Sequence, residues 1–217
     1  MRGKKNNSES REQILDRLRK GKDAHSWHSG WPGSVPDGQV FPPVNNLLET
    51  FREEFTSLGG KLFVEEGEKA LFVRLKNYAL ERGWKELVVA DEQIREKMEL
   101  YNLSFRAFEA PLENSVPAGI TSCDALVART GSVMVSSAGG SGRRMNVYMP
   151  VHVVLARQSQ LVTSIDDGFS AIQKRYSQKP SQISLISGPS RTADIEKTLV
   201  MGAHGPGEII VLIDSMT

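Results

Sequence analysis

Residues 61–90, KLFVEEGEKALFVRLKNYALERGWKELVVA, decide the fold class. The short apolar run Leu62-Phe63-Val64 predicts a strand, and the stretch Lys69–Arg82 predicts a helix that Gly83 ends. Leu87-Val88-Val89-Ala90 follows as a second apolar run of strand length. A strand, a helix and a strand in this order are typical of parallel α/β layering.

The same alternation continues on both sides of this unit. Asp91 is predicted to cap a helix that ends at Tyr101, and a helix that Gly59 ends is predicted before the first strand. Further strands are predicted at 105–108, 132–136, 151–156, 182–187 and 208–214, and further helices at 121–128, 165–176 and 193–200. Several of these strands are apolar without alternation, as expected when helices cover both faces of a sheet. We therefore expect a three-layer α/β domain.

The chain is predicted to divide into two parts. Residues 1–43 form an extension with an N-terminal helix and a stretch rich in Pro, Gly and Trp, and residues 44–217 form the α/β domain. The formal net charge of +1 over 217 residues gives no support for nucleic-acid binding by bulk electrostatics. No apolar run approaches the ~18 residues of a membrane span. We expect a cytoplasmic protein.

Cys123 is the only cysteine in the sequence. A single cysteine cannot form an intramolecular disulfide, and it cannot hold an iron–sulfur cluster within these residues. A thiol with no basic neighbour in sequence is usually a packing residue, and that is the interpretation we favour for Cys123. No group of residues has the composition of a metal site.

The most informative motif is Ser187-Gly-Pro-Ser-Arg-Thr-Ala-Asp-Ile-Glu196, which follows a predicted strand and opens a predicted helix. Backbone N–H groups at a helix start bind anions, and an arginine grips a carboxylate or phosphate with two hydrogen bonds. The candidate ligand-binding residues are Gly188, Ser190, Arg191, Thr192 and Asp194. The alternative is a capped helix whose arginine pairs with a nearby acid, since helix starts use the same residue types.

Three other turns could contribute to the same pocket. These are Thr130-Gly131-Ser132, the Gly/Ser-rich run that ends in Arg143 and Arg144, and Gly202-Ala-His-Gly-Pro206 around His204. Paired guanidinium groups suit an anionic ligand, and a histidine has a pKa suited to acid–base work. Each also has a structural explanation as a surface loop or a locked turn. No catalytic residue can be assigned, and His204 and Asp194 are the weak candidates.

Four motifs together resemble the LUD-domain family, and within it the lactate-utilization protein C (LutC/YkgG) group. They are Gly119-Ile-Thr, Ala128-Arg-Thr-Gly131, Ser187–Glu196 and Gly202-Ala-His-Gly-Pro206. The likeness covers about residues 44–214. It implies a fold similar to the NagB/RpiA/CoA-transferase group, a three-layer α/β/α sandwich with a mainly parallel sheet.

The resemblance also implies a role in oxidising L-lactate to pyruvate within a bacterial set of three proteins. Iron–sulfur clusters are expected only in the partner subunits, and no cofactor is expected in this chain. It would then be a non-redox accessory component that binds a small anion or those iron–sulfur subunits. The alternative is a stand-alone enzyme or binding protein for a phosphorylated or CoA-type ligand. Whether the chain is an enzyme stays open at this point.

Overall fold

The computed structural model describes residues 11–17, 19, 42–108, 116–139, 144–192, 200–201 and 205–216. The chain separates into two compact units, Met1–Pro43 and Val44–Thr217. In the first unit, residues 11–17 are helical. No helix in these ranges is both long and apolar enough to cross a membrane.

The second unit contains twelve strands and five α-helices among its described residues. The strands are β1 Lys61–Glu65, β2 Leu87–Val89, β3 Phe105–Ala107, β4 Ala118–Ser122, β5 Ala125–Val127, β6 Ser132–Ser136, β7 Val151–Arg157, β8 Leu161–Val162, β9 Ile183–Ile186, β10 Arg191–Thr192, β11 Val200–Met201 and β12 Glu208–Asp214. The helices are α1 Leu47–Ser57, α2 Glu68–Glu81, α3 Glu92–Leu100, α4 Met145–Tyr148 and α5 Ile165–Arg175. The side chains of Asn46, Asp91 and Ser164 cap the starts of α1, α3 and α5.

Six strands form one sheet in the order β1-β12-β7-β4-β2-β3, and every neighbouring pair is parallel. Four others form a second, mixed sheet in the order β8-β5-β6-β9. Strand β6 pairs antiparallel with both β5 and β9, whereas β5 and β8 are parallel. Strands β10 and β11 form a separate antiparallel pair.

The two faces of the parallel sheet pack against different layers. On β12, Ile210 and Leu212 join the core beneath α2 and α3. The alternate residues Ile209, Val211 and Ile213 join a second core with α1 and with strands β5 and β6. Because both faces are buried, this strand is apolar at successive positions. The predicted α/β fold with a mainly parallel sheet and flanking helices is confirmed.

The layer that covers the second face of the parallel sheet does not consist of helices alone. It is covered by α1 together with the four-stranded sheet, and α5 packs on the outer side of that sheet through Ile172, against Ala125, Val127 and Met134. The helix predicted over 121–128 is wrong, since this segment supplies the end of β4 and the whole of β5. A short, fully buried apolar run does not distinguish a helix from a strand, and pairing with β6 decides the outcome.

The helix predicted over 193–200 lies mostly outside the described residues. Its last residue, Val200, belongs to β11, and the residues before the predicted helix, Arg191 and Thr192, belong to β10. The Ser187–Glu196 motif therefore continues from β9 into a short antiparallel ribbon.

Candidate functional site

Two of the predicted ligand turns pack against the end of helix α1. Gly131 has a left-handed backbone with φ of 53°, and a Cβ atom there would lie 2.4 Å from the backbone nitrogen of Phe55. Gly188 has φ of 87°, and its Cβ would lie 2.8 Å from the carbonyl oxygen of Leu58. Only glycine allows the chain to approach the helix this closely in this conformation. Both glycines thus have a structural role.

Arg191 lies at the same helix end. Its guanidinium donates a hydrogen bond of 2.5 Å to the carbonyl oxygen of Leu58, the residue that caps α1. The last carbonyl groups of a helix lack partners within the helix and carry its negative dipole end, so a cation there is favourable. The partner of Arg191 is therefore a backbone carbonyl, whereas the sequence suggested an anionic ligand or a neighbouring acid. Its role in binding an anion stays a prediction.

Hydrogen bonds connect the motif turns with each other. The hydroxyl oxygens of Ser132 and Ser187 are 2.7 Å apart, and the Ser132 hydroxyl also donates to the carbonyl oxygen of Thr130 at 3.1 Å. The backbone N–H of Ser190 donates to the carbonyl oxygen of Pro206 at 2.8 Å. Because Pro206 precedes β12, this places the motif at the amino ends of the parallel strands.

Most of the other predicted site residues lie outside the part of the chain that the structure describes. Arg143, Asp194 and His204 lie outside the described residues, and only the backbone of Thr192 is described. Arg144 is exposed at the start of α4, and no hydrogen bond or ion pair joins it to the described residues of the motif turns. The single pocket that we predicted from all of these residues stays a prediction.

A cleft of about 460 Å³ opens at the opposite, carboxyl edge of the parallel sheet. The ends of three strands line it, with Ser122 from β4, Arg157 from β7 and Asp214 from β12. The chain leaves β2 towards α3 on one face of the sheet, and leaves the neighbouring β4 towards the second sheet on the other face. Ligands of open α/β sheets bind in the crevice that such a reversal creates.

Most acidic groups of the cleft already have partners. Asp91 caps α3 through one carboxylate oxygen, and its other oxygen accepts the hydroxyl hydrogen bond of Ser122 at 3.0 Å. One oxygen of Asp214 accepts from two backbone N–H groups, at 3.0 and 2.9 Å. Glu68 pairs with Lys97 at 2.9 Å and accepts from the Tyr101 hydroxyl at 3.2 Å.

The arginines of the cleft are less committed than its carboxylates. Arg157 is exposed and forms no ion pair with any carboxylate in the described ranges. Arg175 lies 3.8 Å from one oxygen of Asp124, and that oxygen already accepts a 2.7 Å bond from the Tyr176 hydroxyl. The other oxygen of Asp124 accepts from the backbone N–H of Ser136 at 2.6 Å. Both guanidinium groups can therefore take a ligand anion.

The wall that carries these arginines is held by hydrogen bonds that are exposed or partly buried. The Gln160 amide accepts from the backbone N–H of Arg157 at 2.7 Å and donates to the carbonyl oxygen of Cys123 at 2.5 Å. Burial, and then the hydrogen bond to Asp124, raises the pKa of the Tyr176 hydroxyl above its ordinary value. The phenol therefore keeps its proton at neutral pH and stays bonded to Asp124.

The remaining side of the cleft combines polar residues of α2 and α3, such as Glu68 and Glu92, with a group of apolar side chains. Its lining side chains from α2, α3 and β7 belong to the core beneath the two helices or pack against it: Leu71, Phe72, Ile94 and Leu155. Two arginines and a group of apolar side chains thus line one space. Such a mixture is common in ligand sites, where a few polar groups fix the orientation of a largely apolar contact surface.

The cleft residues were not among the sequence-predicted site residues. A signal for three of them was available, since Asp91, Arg157 and Asp214 each stand at the end of an apolar strand or within two residues of it. In a parallel sheet these ends meet at one edge. Ser122 gave no such signal, because its segment was predicted to be helical.

The described residues contain no cluster of three or more His, Cys, Asp or Glu side chains that could hold a metal ion. Cys123 is 3% exposed and packs in the core with α1, as expected for a packing residue. Burial raises the pKa of its thiol far above the ordinary value. A thiol in this environment is a poor nucleophile at neutral pH.

Comparison with known proteins agrees with the fold and the motifs. The family model of the LUD domain matches residues 48–213. The chain belongs to the LUD domain family. A crystal structure of a DUF162 family protein from Deinococcus radiodurans has the same fold as this LUD domain, with a TM-score of 0.59 and 17% identity over 78% of this chain and 96% of that chain.

Relatives of this LUD domain protein include proteins named lactate utilization protein C. The one from Anoxybacillus flavithermus is 27% identical, over 75% of this chain and 77% of the relative. The match to the one from Shouchella clausii is 37% identical and covers 41% of this chain and 39% of the relative. An uncharacterized protein of Neisseria meningitidis is 34% identical over 45% of this chain. That match spans 42% of the Neisseria protein. The chain therefore matches only about two fifths of the length of the Neisseria and Shouchella proteins.

Proposed function

We propose that this protein is a ligand-binding, non-redox component of an L-lactate utilization system. Two relatives that match about three quarters of both chains are named lactate utilization protein C, which supports the role. The observation that carries the ligand-binding part is the cleft at the carboxyl edge of the parallel sheet, where Arg157 lacks a carboxylate partner among the described residues. The proposal places the protein in the cytoplasm.

The electron-carrying part of such a system would belong to other subunits. Cys123 is the single cysteine of these 217 residues and is buried in the core. A cysteine-held iron–sulfur cluster needs several cysteine thiolates as ligands at one site. We therefore propose that iron–sulfur subunits are the partners of this protein, and that its own contribution is to bind a ligand for them.

Complementation of a deletion strain tests this function. In a bacterium with no second route for lactate, deletion of the gene should abolish growth on L-lactate and leave growth on pyruvate normal. The wild-type gene should restore growth. Normal growth of the deletion strain on L-lactate would remove the proposed function.

The same strain compares the two candidate sites. Arg157→Gln removes a charge from the cleft, and Arg191→Gln removes the charge beside α1. Arg191 already donates to a backbone carbonyl oxygen. We therefore expect the Arg157→Gln variant to grow poorly on L-lactate and the Arg191→Gln variant to grow normally. The opposite result would move the ligand site to the Ser187–Glu196 motif.

A further inference from the structure

The volume of the cleft exceeds the volume of an L-lactate molecule. A water molecule takes up about 30 Å³ of liquid, so an acid with about six non-hydrogen atoms fills on the order of 100 Å³. The cleft measures about 460 Å³, within the range of roughly 300–1,000 Å³ that encloses ligands of drug size. L-lactate alone would leave most of the cleft to water.

The charge distribution indicates that the occupant is an anion. Asp91 and Asp214 are bonded to backbone N–H groups, and Glu68 is neutralised by Lys97. In contrast, Arg157 has no ion pair in the described ranges, and Arg175 has only a 3.8 Å contact with a carboxylate that accepts two shorter bonds. Glu92 also lines the cleft, at the start of α3. The two guanidinium groups are the cleft's means of binding an anion, because each can hold carboxylate, phosphate or sulfonate oxygens in pairs.

The opposite wall indicates that the occupant has an apolar body. Leu71, Phe72 and Ile94 are at most 7% exposed, yet each of them lines the cleft. Leu155 adds a partly buried apolar side chain from the end of β7. An inorganic anion or a short hydroxy acid would leave the small exposed areas of these side chains in contact with water, whereas an aromatic or aliphatic body would cover them.

We propose that the cleft binds an amphiphilic organic anion larger than lactate, with its anionic group on Arg157 and Arg175 and its apolar body against Leu71, Phe72 and Ile94. The inference deepens the proposed ligand-binding role and rests on it for the biological context. The ligand is then an effector or co-substrate of the lactate system and is distinct from lactate itself.

Two fluorescent probes that differ by one charged group test this ligand class. Anilinonaphthalene sulfonate carries an aromatic body and a sulfonate, and phenylnaphthylamine is its uncharged counterpart. Each is titrated into the folded full chain at moderate salt. We expect saturable binding with about tenfold or greater preference for the sulfonate, as a hydrogen-bonded charge predicts. L-lactate and inorganic phosphate should displace the sulfonate only at far higher concentrations than the sulfonate itself requires.

Variants locate the charge that makes the difference. Arg157→Gln and Arg175→Gln should each reduce the preference for the sulfonate by about tenfold while leaving the affinity for phenylnaphthylamine unchanged. Arg52→Gln is the matched control, since Arg52 lies on α1, is not part of the cleft and pairs with Glu49. Circular dichroism and urea unfolding confirm that each variant is folded.

The outcomes separate this proposal from the proposed function. Equal binding of both probes by the wild type, a preference that survives in both cleft variants, or displacement by L-lactate at comparable concentrations would overturn the ligand class. A deletion strain that grows normally on L-lactate removes only the lactate role. Lost probe preference in Arg157→Gln together with normal growth of that strain would confirm the site and disconnect it from lactate.

Discussion

Replacing Gly131 with alanine should destabilise the protein by forcing helix α1 away from the Thr130-Gly131-Ser132 turn. The new Cβ would lie 2.4 Å from the backbone nitrogen of Phe55 and 2.6 Å from the carbonyl carbon of Glu54. Neither atom can move without the helix. Phe51 and Phe55 are fully buried on this helix, so a shift of the helix also disturbs the core beneath it.

The expected magnitude has two parts. A left-handed backbone costs alanine about 1–2 kcal/mol, of which about 0.4–1 kcal/mol is offset because alanine restricts the unfolded chain. The collision with α1 adds about 1–3 kcal/mol, the usual cost of overpacking. Gly131→Ala should therefore reduce the free energy of unfolding by about 1–4 kcal/mol.

Gly83→Ala is the matched control. Gly83 also has a left-handed backbone, with φ of 66°, but no atom lies within 4 Å of its would-be Cβ. Only the backbone cost applies, so the loss should be about 1 kcal/mol or less. Urea unfolding followed by circular dichroism measures both variants against the wild type. Equal losses for the two variants would refute the close packing of Gly131 on α1.

Three further outcomes are expected. Arg191→Gln loses an exposed hydrogen bond to the Leu58 carbonyl, so urea unfolding should show a loss of about 1 kcal/mol or less, and sulfonate-probe binding should not change. Burial alone would raise the pKa of Glu208, but the bond to and charge of Lys61, the Tyr78 hydrogen bond and the charge of Arg82 together outweigh burial and lower the pKa. Glu208→Gln should therefore lower the free energy of unfolding by about 1 kcal/mol at pH 7. The difference from the wild type should disappear as the pH falls through the folded-state pKa of Glu208, which lies below 4.5. Urea unfolding curves at several pH values measure this. Burial lowers the pKa of His152 to about 4, so its ring should stay neutral in the folded protein down to about pH 5 in an NMR titration, and its contribution to stability should decline from pH 6.5 towards 4. A titration of His152 near pH 6.5 in the folded protein would contradict its burial.

The proposed ligand cleft lies apart from the motifs on which the sequence prediction of a site was based. The sequence prediction concentrated on glycine-rich turns, and two of those glycines proved to be close-packing positions against α1. Glycine serves a close backbone approach as readily as it serves a ligand, and a single sequence does not distinguish the two. The cleft instead uses Arg157, Arg175 and Tyr176, which belong to no glycine-rich motif.

The sequence by itself determined the fold class of this protein. Apolar runs such as Leu87–Ala90 and Glu208–Asp214 alternate with helical stretches, and this order follows from local hydrophobic patterning and helix caps. Its motifs also identified the LUD family, which the family model over residues 48–213 confirms.

Only the tertiary structure decided which strands are neighbours and where the turns meet. The run Ala125–Val127 became a strand because β6 and β8 pair with it, and pairing partners distant in sequence are not encoded in a local pattern. Likewise, Arg191 bonds to Leu58, 133 residues away, and the parallel order of β2, β4, β7 and β12 brings the cleft residues together. Local sequence specifies local conformation, whereas a site assembled from distant strand ends depends on the order in which those strands pack.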